Sequence, residues 1–162
     1  MGMADRATME HERKSVMESI NWKVRKQLPV IRQTESAECG LACLAMIACW
    51  HGLKTDLSTL RERFNIGIQG MTLQRLIECA ASIHLSSRAV RLEPEDLRCL
   101  NLPSILHWDM NHFVVLHKVR GNQLYIHDPD RGKITISLLD AGKHFTGVAL
   151  ELTPARDFNP RN

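Results

Sequence analysis

Hydrophobic and polar positions follow two different periods along the chain. Cys39 to Trp50 reads CGLACLAMIACW, an apolar run too long and too rich in Ala, Leu and Met for a strand. Closed by Gly52, it predicts a buried helix. Asp56 ahead of Leu57–Phe64, and Thr72 ahead of Leu73 to about Ile83, predict two shorter helices with N-caps. Beyond residue 100 the period shortens. Pro103–Trp108, His112–Val119, Gln123–Asp128 and Lys133–Ser137 are short β-branched and aromatic runs separated by turn residues, and they predict strands. A helical turn is expected within Leu138–Phe145 and a last strand near Gly147–Leu152. Helices first and antiparallel strands second give the α+β class, not the alternation of a parallel sheet.

The two ends read differently from this dense middle. Residues 1–27 form a charged extension with a weak helical stripe (Val16, Ile20, Val24) and a basic end at Lys23, Arg25 and Lys26. That pattern suits a surface-docked helix better than a membrane anchor. Pro29 stops any helix near Gln27. One domain is expected over 28–153, and 154–162 reads as the start of a linker. The chain has 162 residues, 44% hydrophobic and 24% charged, which suits one globular domain and argues against disorder. A net charge of +3 is too balanced to suggest nucleic acid. The apolar run ending at Trp50 is far shorter than the roughly 18 residues that span a bilayer. No apolar signal-peptide core occurs near the start, so a cytosolic location is expected for this segment.

Five cysteines, an odd number with no disulfide-like spacing, fit reduced thiols. Cys39 stands apart from the other four. It opens the long helix, where the N-terminal partial charge and free N–H groups favour thiolate over thiol. Cys43, Cys49, Cys79 and Cys99 lie within or after helical patterns, as small hydrophobes. Gly40 is expected to leave the approach to the Cys39 sulfur open. Gln33, on the loop before the helix, can supply the side-chain amide that an oxyanion needs beside the backbone N–H of the nucleophile.

A thiolate nucleophile needs a base, and His112 is the best placed of the histidines. It opens the run His112-Phe113-Val114-Val115-Leu116, a strand expected to be buried on both faces. His107, His117 and His127 compete for the role. Asp128 would orient His112, provided the hairpin between them has the right register. A two-residue turn at Gly121-Asn122 pairs Arg120 with Gln123 and, carried along a regular ladder, puts His112 and Asp128 on opposite faces. A three-residue loop, or a bulge, sets Val114 opposite Asp128 and makes His112 its diagonal neighbour on one face. The pairing therefore predicts an odd loop or a bulge. Asp109 and Asp130 are the substitutes for Asp128.

Other chemistry is less well supported. Cys39, Cys43, Cys49 and His51 contain no C-x-x-C pair and do not converge on one tetrahedral zinc site, so no metal is expected. Gly67-Ile68-Gln69-Gly70 continues as Met-Thr, without the Lys-Ser/Thr of a phosphate loop.

With these residues assembled, the chain resembles the bacteriocin-processing, double-glycine cysteine peptidase domain of peptidase-containing ABC transporters, of the colicin V and microcin exporter type. The resemblance covers about Leu28 to Leu152. It rests on Gln33-x5-Cys39-Gly40-Leu41-Ala42-Cys43, on Gly70 to Thr72, on His107-Trp108 followed by His112-Phe113-Val114-Val115-Leu116, and on His127-Asp128-Pro129. It implies a papain-like fold, a helical half packed on an antiparallel sheet. It further implies Cys39 as nucleophile, His112 as general base then acid, Asp128 as orienter and Gln33 in the oxyanion hole. The implied substrate is a precursor peptide cut after a Gly-Gly pair, with Trp108 and Met110 as candidate walls of the glycine channel. The implied partners are the transmembrane and ATPase domains of the same transporter, at the cytoplasmic face of the bacterial inner membrane. No cofactor is implied for this segment, ATP belonging to the nucleotide-binding domain. Glu38 departs from the Asp that many members carry before the cysteine. Two alternatives remain open: a leader-recognition domain without turnover, and an acyltransferase on the same scaffold.

Overall fold

The computed structural model describes residues 26–160. The expected helical stripe at Val16, Ile20 and Val24 lies outside the described residues. A 3-10 turn, Ser36–Glu38, leads directly into α1 (Cys39–Trp50). Two capped helices follow, α2 (Leu57–Arg63) and α3 (Leu73–Ser82). Asp56 accepts a hydrogen bond from the Thr59 N–H, and Thr72 accepts one from the Arg75 N–H. Both caps satisfy N–H groups that the first helical turn leaves free.

The sheet comprises β1 (Leu85–Arg91), β2 (Ser104–Trp108), β3 (His112–Arg120), β4 (Gln123–Asp128), β5 (Gly132–Ser137) and β6 (Phe145–Pro154). A short helix, α4 (Leu138–Ala141), links β5 to β6. The strand order is β1-β6-β2-β3-β4-β5, antiparallel throughout. The α+β expectation therefore holds, with one strand more than the sequence pattern shows. β1 is an edge strand paired only with β6 and largely exposed, so the apolar alternation that betrays a half-buried strand is absent. A 3-10 segment at Pro94–Cys99 likewise carries no periodic signal.

Both faces of the central strands are buried, which is why His112–Leu116 lacks polar alternation. Phe113 and Val115 face α1 together with Ile105, Leu150 and Leu152. Val114 and Leu116 face the opposite side with Leu106, Leu124, Ile126 and Phe145. Residues 154–160, expected to begin a linker, fold back on the helical side. Phe158 packs against that core, Asp157 lies 2.8 Å from the His84 ring, and the Ala155 N–H bonds the His84 carbonyl. Among the described residues no helix is long and apolar enough to cross a membrane.

Candidate active site

The site lies where the head of α1 meets the ends of β3 and β4. Cys39 occupies the first turn of α1 and is buried. Glu38, ahead of it, is also buried; it accepts a hydrogen bond from the Glu35 N–H and is ion-paired with Arg61 of α2. That arrangement fixes the direction in which the helix presents its first residue. Gly40 is closely covered, while Cys39 itself lines an open groove. A Cβ there would lie 3.2 Å from Met71 Sδ and 3.4 Å from Phe113, so the missing side chain lets these two close over the turn.

His112 begins β3 and Asp128 ends β4, and His112 Nε2 lies 2.6 Å from Asp128 Oδ1. The register that allows this combines both expectations. The tip is a two-residue turn, with Arg120 opposite Gln123 and Gly121 at a φ of 59°. Below it the ladder shifts between Lys118 and Leu116, leaving His117 as a bulge, so that Leu116 faces Ile126 and Val115 faces His127. Continued in this register, Val114 stands opposite Asp128 and His112 is its diagonal neighbour. The three-residue loop does not form; the bulge replaces it.

Asp128 also accepts a hydrogen bond from the Asp130 N–H at 2.8 Å. Burial opposes its ionisation, yet the bonds from His112 and from the Asp130 and Arg131 backbone hold its carboxyl below the usual range. For His112, burial disfavours the charged ring, but the hydrogen bonds to Asp128 and Cys39 and their charges outweigh it, and the ring is held up to about 10. Asp128 occupies Nε2, so Nδ1 is the nitrogen left for the Cys39 thiol. Gln33 is anchored by its backbone N–H to the Pro129 carbonyl at 2.9 Å. Its side-chain Oε1 is buried with no hydrogen-bond partner, and Gln33 shares a pocket with His112 and Asp128.

The other histidines and carboxylates have different partners. His107 bonds Thr146, and His127 Nδ1–H donates to the Pro29 carbonyl. His117 sits edge-on to Trp50 and beside His127. Asp109 is bonded to His144 at 2.7 Å, and Asp130 reaches the site only through its backbone N–H. Of the remaining cysteines, Cys43 is in the core, where burial pushes its thiol up, and Cys49 donates to the Thr55 carbonyl.

Two depressions flank Cys39 and His112. A groove of about 780 Å³ is lined by Cys39, Gly70, Met71, Phe113, Val148 and Met110. Met110 thus stands at the groove, 72% exposed, whereas Trp108 is buried, stacks on His144 and faces the smaller pocket instead. Asp109 and Met110 both have positive φ, 50° and 66°, unusual for side-chain-bearing residues and concentrated next to His112. The sequence pattern does not single out Asn111 or His144, because neither stands out in type or spacing, and Met71 enters it only within the Gly70–Thr72 segment.

A helix that delivers a cysteine to a histidine–aspartate pair on an antiparallel sheet has the papain-like arrangement. The peptidase C39 family model matches residues 27–157, so the chain belongs to the peptidase C39 family. The colicin V secretion/processing ATP-binding protein of Escherichia coli is 44% identical over 145 residues, covering 90% of this chain and 21% of that protein. The probable microcin-H47 secretion/processing ATP-binding protein of Escherichia coli is 41% identical over 145 residues, with the same coverage of 90% and 21%. The chain therefore spans about a fifth of the length of these curated relatives. Among solved structures, a double glycine motif protease from an AMS/PCAT transporter, in complex with the leader peptide, superposes with a TM-score of 0.75 at 34% identity, covering 81% of this chain and 94% of that one. The peptidase domain of Streptococcus ComA superposes with a TM-score of 0.72 at 27% identity, covering 79% and 99%.

Proposed function

We propose that this chain is the cysteine endopeptidase domain of a peptide-exporting ABC transporter, cutting bacteriocin or microcin precursors after a Gly-Gly pair. The observation that carries the reading is the His112–Asp128 pair, 2.6 Å apart at the ends of β3 and β4, with the His112 ring under the influence of Cys39 at the head of α1. Cys39 Sγ attacks the carbonyl carbon of the second glycine, forming a C–S bond. The oxyanion is held by the Gln33 amide and the Cys39 N–H. His112 gives its Nδ1 proton to the departing amine as the C–N bond breaks. The same ring then takes a proton from the water that hydrolyses the acyl-enzyme. The chemistry draws on no cofactor in this chain.

Met71 and Phe113 line the groove beside Cys39, and in the proposed reaction they wall the channel that takes the two glycines. The leader is assigned to the groove beside Cys39 as an amphipathic helix. Its partners are the transmembrane and ATPase domains of the transporter, which place this domain at the cytoplasmic membrane face. The test is a synthetic leader–Gly-Gly–cargo peptide followed by mass spectrometry. The intact chain is expected to cut after the second glycine, and Cys39→Ala to bind without cutting. Binding of several leaders without turnover by the intact chain would instead make it a recognition domain. Transfer of the leader to added amines rather than to water would make it an acyltransferase.

A further inference from the structure

The groove and the smaller pocket adjoin: Ser36 and Asn111 line both, so one cleft runs across Cys39 and His112. The two ends differ in which reacting group they contain. Cys39 lines the groove of about 780 Å³ and His112 does not. His112, with Gln33 and Asp128, lines the pocket of about 290 Å³ and Cys39 does not. On the peptidase reading above, on which this inference rests, the acyl half of the substrate becomes bonded to Cys39 Sγ. The amine half takes its proton from His112. The acyl half, the leader, therefore extends along the groove, and the amine half extends into the pocket.

The pocket has a distinct chemistry. Its floor is the Trp108 indole stacked against the His144 ring at 5.2 Å and an interplanar angle of 7°, flanked by Ile134 and Ile136. Its ionisable groups are Asp109, Asp128 and Asp130 against Arg131, His112 and His144. Asp109 is fixed by its bond to His144, and Asp128 by its bond to His112, while Asp130 and Arg131 stand exposed at the mouth. An apolar side chain entering here would cover the ring stack and the isoleucines. A carboxylate would lose water over that floor and meet Asp109 beside it, while Arg131, the lining cation outside the two histidine–aspartate pairs, stands exposed.

We propose that this pocket receives the side chain of the first cargo residue, the one immediately after the cut. It favours an apolar side chain and rejects an acidic one. The enzyme thus reads both sides of the scissile bond, with the cargo side in a site floored by Trp108 and His144 and edged by Asp109.

The experiment uses the whole chain and leader–Gly-Gly–X peptides identical except at X, with X as Leu, Ala or Glu. kcat/KM is read by mass spectrometry, and leader affinity is read separately on Cys39→Ala. The expected result is cleavage of the Leu peptide about tenfold faster than the Glu peptide, at unchanged leader affinity. In Asp109→Asn, whose side chain keeps a hydrogen-bonding oxygen and tolerates the left-handed backbone, the Leu/Glu ratio is expected to narrow. Equal rates for all three peptides would overturn the pocket assignment while leaving the peptidase reading standing. So would a Leu/Glu ratio unchanged in both Asp109→Asn and Asp130→Asn. Cleavage of none of the peptides would remove the peptidase reading and this inference with it.

Discussion

His112 holds its proton because partners on two different elements share it, and this has a measurable consequence. Its ring is raised to about 10, against burial, by the bonds to Asp128 and Cys39. In the proposed reaction the departing amine needs that proton, so kcat/KM should fall on an alkaline limb near pH 10. Asp128→Asn removes the larger of the two supports, and the limb is expected to move toward acid by about one unit or more. An unchanged limb would detach the profile from this pair. The sign for stability runs the same way. The folded value lies above the ordinary one of about 6.5, so the His112 contribution is complete below that pH and is lost as the pH rises toward about 10. In the proposed reaction Gln33 serves the oxyanion. Its buried Oε1 has no partner, and its backbone is tied to Pro129. Gln33→Ala is expected to lower kcat about a hundredfold or more with little change in KM. A pure KM effect would make it a binding residue.

At the scale of elements, the β3–β4 hairpin and the head of α1 decide whether those residues meet. Bringing Asp128 beside His112 requires a register shift, and the residue spacing alone makes that shift legible, since a regular ladder from Gly121-Asn122 separates the two. Its location at His117 is not legible, because a bulge leaves no pattern in residue type. Cys39 stands out because it opens an apolar helix, and the burial of α1 explains why its whole circumference is hydrophobic. β1 stays hidden because an exposed edge strand carries no apolar alternation. The side of the cleft that Trp108 faces is equally hidden, because a strand residue adjoining a left-handed loop can face either pocket. Glu38 is the element-scale test. Arg61 holds its carboxyl below the usual range against burial. Arg61→Ala leaves that buried carboxylate without its guanidinium and is expected to lower the melting temperature. Adding Glu38→Gln should recover part of the loss, since the amide needs no counter-charge. Thermal melts of the two singles and the double check this as a cycle. A double variant less stable than Arg61→Ala alone would overturn it.

On the scale of the whole molecule, the cleft lies where two halves with separate cores meet. α1 is buried against one face of β3, and Trp108, Leu124 and Phe145 pack on the other. Gln33 belongs by sequence to the helical half but is tied to the sheet half. A strap holds it there. The Pro29 carbonyl accepts from His127, Arg32 donates to the Pro129 carbonyl, and the Gln33 N–H does the same. Lys26 lies over the Trp50 ring, 5.7 Å from its centre, at the start of this strap. These contacts begin at Lys26, and the family match begins at residue 27. A chain starting at Lys26 is therefore expected to keep both its melting temperature and its cleavage rate. A chain starting at Thr34 loses the strap with Gln33. Its cleavage should fall further than that of Gln33→Ala, and its melting temperature should drop, because Pro129 and His127 lose their partners as well. Cleavage by the Thr34 chain equal to that of Gln33→Ala would mean that the strap contributes the amide alone. A loss of activity on starting at Lys26 would move the boundary of the working domain into the preceding segment.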